Sequence, residues 1–335
     1  NGNGNGNGNG NGNGNGNGNG NGNGNGNGGE EYSLTIGSLF ARETSDTQMF
    51  FEFAESIEEK TDGRITAEVL PQQIGGGEDN LDATANGTID MHGQSVATIA
   101  NAYGPEYGFV ATPFIPQDWD HHVKMWETYI EPMEEFNGQL VEDGNQRAIG
   151  TGINGVRHVT SNKPIRTPED IEGVAMRVPQ ITTWTNVWDA IGADATPVAF
   201  DELYQSLETG VVQASEGPIS QVFDASLHEV QTHFSLTGHI PTDTTVTINE
   251  ETWQSCSDED KELVQTTLDE ALEWVNETKR TNEADLMQRA EEEEGMTIVE
   301  DVDRQAFVEG GQSALESMSD DWIVGYQEAI DLADE

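Results

Sequence analysis

Strand-like and helix-like segments alternate twice along this chain, and that order leaves few folds open to it. After Tyr32, the segments YSLTIGSLF, ITAEVLP and TIDMHGQ have strand patterns, and helical patterns separate them. From Gly155 the rhythm restarts with VRHVTSN, VAMRVP, ATPV and VVQASEG, again separated by helical patterns. Alternation at this spacing predicts α/β units with a mainly parallel sheet and helices on both faces. The boundary between two such units is predicted near Ile153, where the strand RAIGTGI ends.

One helical pattern is far longer than the others and runs from Ser257 to Gly295. Ser257 and Asp260 form a capping box at its start, and Gly295 supplies a stop. At 1.5 Å per residue such a helix reaches roughly 55 Å, long enough to brace two domains. Pairing as a coiled coil is the alternative, but the heptads are not sustained past Val275. The pattern therefore favours a bracing helix.

Two shorter helical patterns also carry predicted boundaries. The first, DTQMFFEFAESIEEKTDGR, has Asp46 as its expected N-cap and Gly63 as its expected stop. The second, WDHHVKMWETYIEPMEEFNGQL, is predicted to run as a single helix despite Pro132.

The acidic surplus is large, with 62 Asp and Glu residues against 14 Lys and Arg and a formal net charge of −48. High charge is typical of disordered chains, but seven Trp, eleven Phe and a regular apolar periodicity indicate packed cores. A folded, acid-coated surface suits high salt, because a Debye length of about 3 Å at molar salt screens the self-repulsion. We therefore expect a halophilic surface. We expect no nucleic-acid partner, because the sequence has no basic patch to displace counterions.

The ends and the single cysteine say little about cellular location. The first 28 residues repeat Asn-Gly, which cannot bury apolar surface and predicts a flexible tether. The chain begins at Asn1 without Met, which fits a removed signal sequence and fits a cloning artefact equally well. No run approaches the ~18 consecutive apolar residues of a membrane helix. Cys256 is the one cysteine, so an intrachain disulfide is impossible.

Motifs for catalysis and for metal or phosphate binding are absent or weak. The sequence contains no Gly-x-Ser-x-Gly elbow, no phosphate loop ending in Gly-Lys-Ser/Thr and no Cys-x-x-Cys pair. Asp118, Asp120, His121 and His122 are metal-ligand types. Adjacent histidines on a helix point about 100° apart, however, so capping and burial are the expected roles. We expect no metal and no cofactor.

Arginine is scarce, with nine in the chain, yet one lies inside the apolar run VAMRVP. A period of two puts Val174, Met176 and Val178 on one face of a strand, so Arg177 points the other way. It lies near the carboxyl end of the strand, where open α/β sheets form ligand crevices. Arg157 could converge on the same cleft as a second fork of donors for a carboxylate. An internal salt bridge is the alternative, and spacing alone leaves the two about level.

The series GVRHVTSNKPIRTPEDIEGVAMRVPQ and DAIGADATPVAFDELYQSLETGVVQASEGP strongly resemble the substrate-binding proteins of TRAP (tripartite ATP-independent periplasmic) transporters. RITAEVLPQQIGGGEDNLDATANGTIDM resembles the N-terminal pattern of that family, so the resemblance extends from about Tyr32 to the C-terminus. It implies an α/β, two-lobed fold like that of periplasmic binding proteins, braced by a long helix and closing on a small organic acid. It also implies an extracytoplasmic location and a membrane permease as partner, with membrane association only through that permease or a tether.

The resemblance also implies particular ligand-binding residues. The carboxylate-binding arginine of the R-V-P motif falls on Arg177, the second arginine on Arg157, and an aromatic residue that packs on the ligand on Phe200. Many members carry Asn after the Glu of a V-V-D-G-x-E-N-P motif, where its amide contacts the ligand, whereas here Glu216 is followed by Gly217. The expected ligand-binding residues, including two weaker candidates, are Arg177, Arg157, Phe200, Gln94, Trp184, Glu216 and Gly217.

The chain divides on this basis into six expected segments. They are a disordered Asn-Gly tether (1–29), lobe I (30–153), lobe II (154–240), a return strand to lobe I (241–256), the bracing helix (257–295) and a C-terminal strand with helices (296–335). The expected function is capture of a small carboxylate between the lobes and its delivery to a TRAP permease. An enzyme acting on a carboxylate in the same cleft is one alternative, disfavoured by the missing nucleophile–base pair. A surface-layer or adhesion protein, which the tether would suit, is another.

Overall fold

The computed structural model describes residues 31–130 and 134–334, so the predicted Asn-Gly tether lies outside the described residues. The strands are β1 (Tyr32–Ser38), β2 (Ile65–Pro71), β3 (Met91–Gln94), β4 (Gln146–Ser161), β5 (Ala175–Val178), β6 (Asp194–Pro197), β7 (Ala214–Gly217), β8 (His233–Asn249) and β9 (Thr297–Val299). The helices are α1 (Ser45–Lys60), α2 (Gly77–Ala85), α3 (Val96–Tyr103), α4 (Trp119–Met125), α5 (Glu134–Gly144), α6 (Pro168–Ile171), α7 (Thr182–Ile191), α8 (Leu203–Glu208), α9 (Ile219–Asp224), α10 (Glu250–Ser255), α11 (Asp258–Glu292), α12 (Arg304–Met318) and α13 (Tyr326–Asp331).

The strands form one mixed sheet in the order β2-β1-β3-β8-β4-β7-β5-β6, with β9 paired to β8. Its outer parts are parallel: β1 pairs with β2 and β3 in one half, which we call lobe I, and β5 pairs with β6 and β7 in the other, lobe II. Its centre is antiparallel, because β8 pairs with β3 and β4, and β4 with β7. The prediction of a mainly parallel sheet is therefore right for each lobe and wrong for the centre, where one strand leaves a lobe and another returns to it.

Two long strands, β4 and β8, join the lobes. The sequence predicted two separate strands where β4 runs as one strand of 16 residues. The predicted boundary near Ile153 falls inside it, at a register shift between Ile153 and Gly155. Gly155 has a φ of 138°, a value that glycine adopts readily, and a Cβ there would lie 2.8 Å from the Cβ of Pro218. A shift of this kind bends a strand, so β4 bends where it passes between the lobes.

The long helix α11 spans both lobes, as predicted. Ser257 caps it by accepting a hydrogen bond from the backbone N–H of Asp260, and its 35 residues extend about 52 Å. Leu268 and Leu272 pack into the core beneath β1 and α1 of lobe I. Near its other end, Ala290 packs into a core that contains residues of α8, α9 and β8. Burial at both ends makes α11 a brace.

Two predicted helix details differ in the structure. Thr44 caps α1, and its Oγ1 accepts from the N–H of Thr47. Asp46, the predicted cap, is instead buried in the first turn, where both carboxylate oxygens accept from Nζ of Lys279 on α11 at 2.7 Å. The helix predicted from residue 119 onward changes from α4 to a π turn (Trp126–Ile130), and α5 begins at Glu134. The predicted continuity of that helix across Pro132 falls on residues 131–133, outside the described residues.

Candidate ligand-binding cleft

A cleft lies between the lobes at the carboxyl ends of their parallel strands. On the lobe I side it is lined by Phe40, just after β1, and by Gln94, the last residue of β3. On the lobe II side it is lined by Arg177 of β5 and by Phe200, which follows β6. The cavity volume is about 90 Å³, and the rings of Phe40 and Phe200 meet edge to face with centroids 5.3 Å apart. The lobes are therefore in contact across a narrow cleft.

Among the residues that the structure describes, Arg177 faces this cleft and has no acidic partner. Met176 and Val178 on either side of it pack into the hydrophobic core, as the alternation predicted, and Arg177 lines the cleft. Its side chain is 3% exposed, and its Nε donates to the carbonyl oxygen of Val198 at 2.9 Å. Within the described residues it forms no ion pair. Burial lowers the pKa of Arg177 to about 10, although the charge of Glu216 acts in the opposite direction. The guanidinium stays charged at neutral pH.

Arg157 is bound to a carboxylate of the same chain. Its Nε donates to Oε2 of Glu216 at 2.5 Å, and its Nη2 donates to Oε1 at 2.8 Å. His239 lies 3.1 Å from Oε2 through its Nε2. Burial acts to raise the pKa of Glu216, but the charge of Arg157 and hydrogen bonds from His239 and Arg157 outweigh it and lower the pKa to about 2. Spacing left two alternatives open for Arg157, and in the structure it forms the internal salt bridge while it also lines the cleft.

The buried charges behind the cleft do not balance. Arg157 and Glu216 neutralise each other, and burial lowers the pKa of His239, so its ring is neutral at pH 7. Arg177 is then left as one uncompensated positive charge. Of the two buried arginines that line the cleft in the described residues, Arg177 is therefore the one without an ion pair, in a chain whose net charge is −48.

Trp184 and Gln94 both line the cleft. Trp184 is 1% exposed, its Nε1 donates to the carbonyl oxygen of Ala111 at 2.7 Å, and the Cζ atom of Arg157 lies 5.0 Å from its ring centroid. It therefore supports Arg157 by a cation–π contact as well as filling the core. Gln94 accepts from the backbone N–H of Ser95 at 3.1 Å through Oε1.

Comparison with known proteins places this geometry in a family. Residues 36–321 match DctP, described as Bacterial extracellular solute-binding protein, family 7. The chain belongs to this family. Family 7 proteins are binding proteins of transporters. Relatives of this chain with solved structures have the same two-lobed fold.

Individual family 7 relatives extend over most of the chain. A solute-binding protein of Roseobacter denitrificans is 32% identical over 289 residues, which are 85% of this chain and 86% of the relative. The crystal structure of this TRAP periplasmic solute-binding protein, with bound L-galactonate, has a TM-score of 0.79 at 30% identity and covers 86% of this chain and 94% of that one. The sialic acid-binding periplasmic protein SiaP of Vibrio cholerae is 31% identical over 235 residues, 70% of this chain and 72% of the relative.

Within this family 7 fold, two of the residues expected in the site do not line the cleft. Glu216 lies behind it, 1% exposed and bonded to Arg157, and Gly217 ends β7 beside it. Sequence reasoning also missed other residues that line the cleft, among them Phe40 and Gln221. Phe40 could have been found by its position just after the first strand, whereas Gln221 lies on α9 and carries no comparable signal.

The described residues contain neither a metal-binding cluster nor a helix that could span a membrane. Over residues 31–130 and 134–334, no three His, Cys, Asp or Glu side chains are grouped so as to hold a metal ion. Asp118 caps α4 by accepting from the N–H of His121 at 2.9 Å, the capping role expected of it. No helix of the same residues has the length and apolar character needed to cross a bilayer.

Proposed function

We propose that this chain captures a small organic acid in the interlobe cleft and delivers it to a TRAP-type membrane permease. The observation that carries the proposal is the buried guanidinium of Arg177, whose one hydrogen bond within the described residues goes to a backbone carbonyl. A buried cation is costly without an anion. A ligand carboxylate would supply the missing charge through paired, charge-assisted hydrogen bonds.

The charge balance favours acids with a single carboxylate. One monocarboxylate neutralises Arg177, because Glu216 already neutralises Arg157. A second carboxylate would have no cation of its own, because Arg157, which also lines the cleft, is already paired with Glu216, and the remaining charged residue of the described lining is Glu78, an exposed acid at the start of α2. Like charges at close range disfavour binding. Dicarboxylates should therefore bind more weakly than monocarboxylates of equal length.

The relatives indicate what kind of monocarboxylate. The Roseobacter denitrificans relative was crystallised with L-galactonate, and the Vibrio cholerae relative is named for binding sialic acid. Both ligands are hydroxylated acids. The cleft of this chain offers polar side chains suited to hydroxyl groups, including Gln94, Asn154 and Thr242. The proposed ligand class is thus a hydroxylated monocarboxylic acid of the sugar-acid type.

Capture requires that the lobes open and close. The cavity of about 90 Å³ is smaller than the ~300 Å³ or more of ordinary ligand pockets, so a sugar acid enters an opened form. The bend in β4 at Gly155 supplies a hinge position, and the contact between Phe40 and Phe200 marks the closed edge. Closure excludes water and strengthens the hydrogen bonds to Arg177.

A role in transport also determines the proposed location of this chain and its proposed protein partner. We place the chain on the extracytoplasmic side, where family 7 proteins act, with the permease as its protein partner and no nucleic acid. We propose no catalytic step and no cofactor. The cleft-facing residues supply a carboxylate anchor and polar groups, and Trp184 and Arg157 hold the wall behind it. The role of these residues is to bind the acid in the cleft and to release it to the permease.

Isothermal titration of wild type and Arg177→Lys with L-galactonate tests the carboxylate anchor. Lysine keeps the charge but loses the planar fork, so affinity should fall about tenfold or more. Arg147→Lys is the matched control, because Arg147 forms a partly exposed ion pair with Glu250 and neither residue lines the cleft. It should leave affinity unchanged.

Two results would contradict the proposal. Wild-type affinity in Arg177→Lys would remove Arg177 as a bidentate anchor. A thermal-shift screen of hydroxy acids, keto acids and dicarboxylates in which no acid raises Tm would remove organic acids as the ligand class.

A further inference from the structure

We infer that Gln221 recognises a hydroxyl group of the bound acid, through a carboxamide held in the cleft by the absence of a side chain at position 217. This inference rests on the proposed function and adds a specificity-determining residue to it. Gln221 is the third residue of α9, it lines the cleft, and it is 8% exposed. A glutamine so deeply buried needs partners for its carboxamide.

The carboxamide of Gln221 fills the space in front of Gly217. A Cβ atom built on Gly217 would lie 1.9 Å from Oε1 of Gln221 and 2.9 Å from its Cδ. Gly217 does not have a positive φ, so its backbone conformation is open to any residue. A side chain at position 217 would therefore displace the carboxamide of Gln221 from its place in the cleft wall. The two residues act together: Gly217, which has no side chain, leaves space for the polar carboxamide of Gln221.

The Oε1 atom of Gln221 is buried and has no hydrogen-bond partner within the described residues. An unsatisfied buried acceptor reduces stability unless a donor reaches it. Because Gln221 lines the cleft, a ligand is placed to supply that donor. A hydroxylated acid carries such donors and a plain fatty acid does not. Gln221 thus separates these two classes, whereas Arg177 binds the carboxylate that both share.

A second glutamine provides a control. Gln231 is 1% exposed and its Oε1 is likewise buried without a partner, but it is not among the residues that line the cleft. Replacing either glutamine by methionine keeps the side-chain length and removes one unpartnered acceptor. Both variants should therefore fold, and both should keep or raise the Tm of the ligand-free protein. Only the change at Gln221 should alter ligand choice.

The test is isothermal titration of wild type, Gln221→Met, Gly217→Ala and Gln231→Met with L-galactonate and with hexanoate, its hydroxyl-free counterpart of equal chain length. Gln221→Met should weaken L-galactonate binding about tenfold, the loss of one hydrogen bond to a buried group, without weakening hexanoate binding. Gly217→Ala should act in the same direction, because its Cβ displaces the carboxamide. Gln231→Met should bind both acids as the wild type does.

Wild-type affinity of Gln221→Met for L-galactonate would overturn the inference, and so would equal losses for the two acids. If hexanoate binds too weakly to measure, the affinities of Gln221→Met and Gln231→Met for L-galactonate test the inference, because equal affinities of the two variants would overturn it. Failure of the proposed function has a different signature: no acid in the thermal-shift screen would raise the Tm of wild type, or Arg177→Lys would bind both L-galactonate and hexanoate as tightly as wild type does.

Discussion

Replacing Arg177 by methionine should weaken ligand binding without destabilising the ligand-free protein. At 3% exposure, burial holds the pKa of this guanidinium at about 10, roughly two to three pH units below that of an ordinary arginine. At about 1.4 kcal/mol per unit, the ionised group costs the ligand-free fold on the order of 3 kcal/mol. Arg177→Met removes this cost and keeps a long, flexible side chain. The free energy of unfolding should stay level or rise.

Ligand affinity should change in the opposite direction. A carboxylate loses two charge-assisted hydrogen bonds in Arg177→Met, each worth about 1.5–3 kcal/mol. A loss of about 3 kcal/mol corresponds to more than 100-fold in affinity. The same residue thus lowers stability and supports binding, which is the signature of a group whose counter-ion arrives with the ligand.

Replacing Arg157 by methionine should, in contrast, destabilise the ligand-free protein. Arg157→Met leaves Glu216 ionised, 1% exposed and without its cation. Breaking a buried ion pair from one side destabilises by about 3–5 kcal/mol. Adding Glu216→Gln removes the stranded charge, so the double variant should recover much of the loss.

Urea unfolding followed by tryptophan fluorescence and titration with L-galactonate measure both quantities at one fixed salt concentration. Arg147→Met is the control, because its ion pair with Glu250 is partly exposed and should contribute about 1 kcal/mol or less with no effect on affinity. The reasoning fails if Arg177→Met is as destabilising as Arg157→Met and still binds L-galactonate with wild-type affinity.

Three further predictions concern salt, pH and closure. With a net charge of −48, association with an acid should accelerate as salt rises, and stopped-flow rates that fall over the range where the fold stays intact would contradict this. Burial, and then the charge of Asp46, raise the pKa of Asp224 to about 7 against the effect of Lys279. The folded state therefore retains that proton from about pH 4 to 7 and loses stability as pH rises through this window. Asp224→Asn should accordingly raise Tm at pH 8 and leave it unchanged at pH 4; an equal gain at both values would exclude this cause. Finally, Phe200→Ala removes the ring contact with Phe40 and should shift the ligand-free protein towards open forms, seen as a larger radius of gyration in small-angle scattering than that of wild type; an unchanged radius would argue against that contact as a closing device.

Much of the fold could be read from local patterns, because they depend on residues close in the chain. The strand β1, the helix α11 and the cap at Ser257 follow from periodicity and capping chemistry. The merging of two predicted strands into β4 could not be read this way. Glycines in the segment suggest a break, and pairing with β8 along its length keeps it continuous.

The position of Arg177 at the carboxyl end of a strand, facing away from the core, likewise follows from the amino-acid order alone. The side-chain alternation of a strand sets the face, and no distant residue is needed to set it. The ion-pair partner of each arginine, in contrast, does not follow from the amino-acid order. With 62 acids in the chain, nothing local chooses Glu216 for Arg157, 59 residues away, or leaves Arg177 without one. The pairing of β4 with β7 makes that choice, and the approach of Gln221 to Gly217 depends in the same way on how α9 leaves the sheet. Ion pairs and close contacts depend on distances in space, and those distances exist only once the lobes have packed.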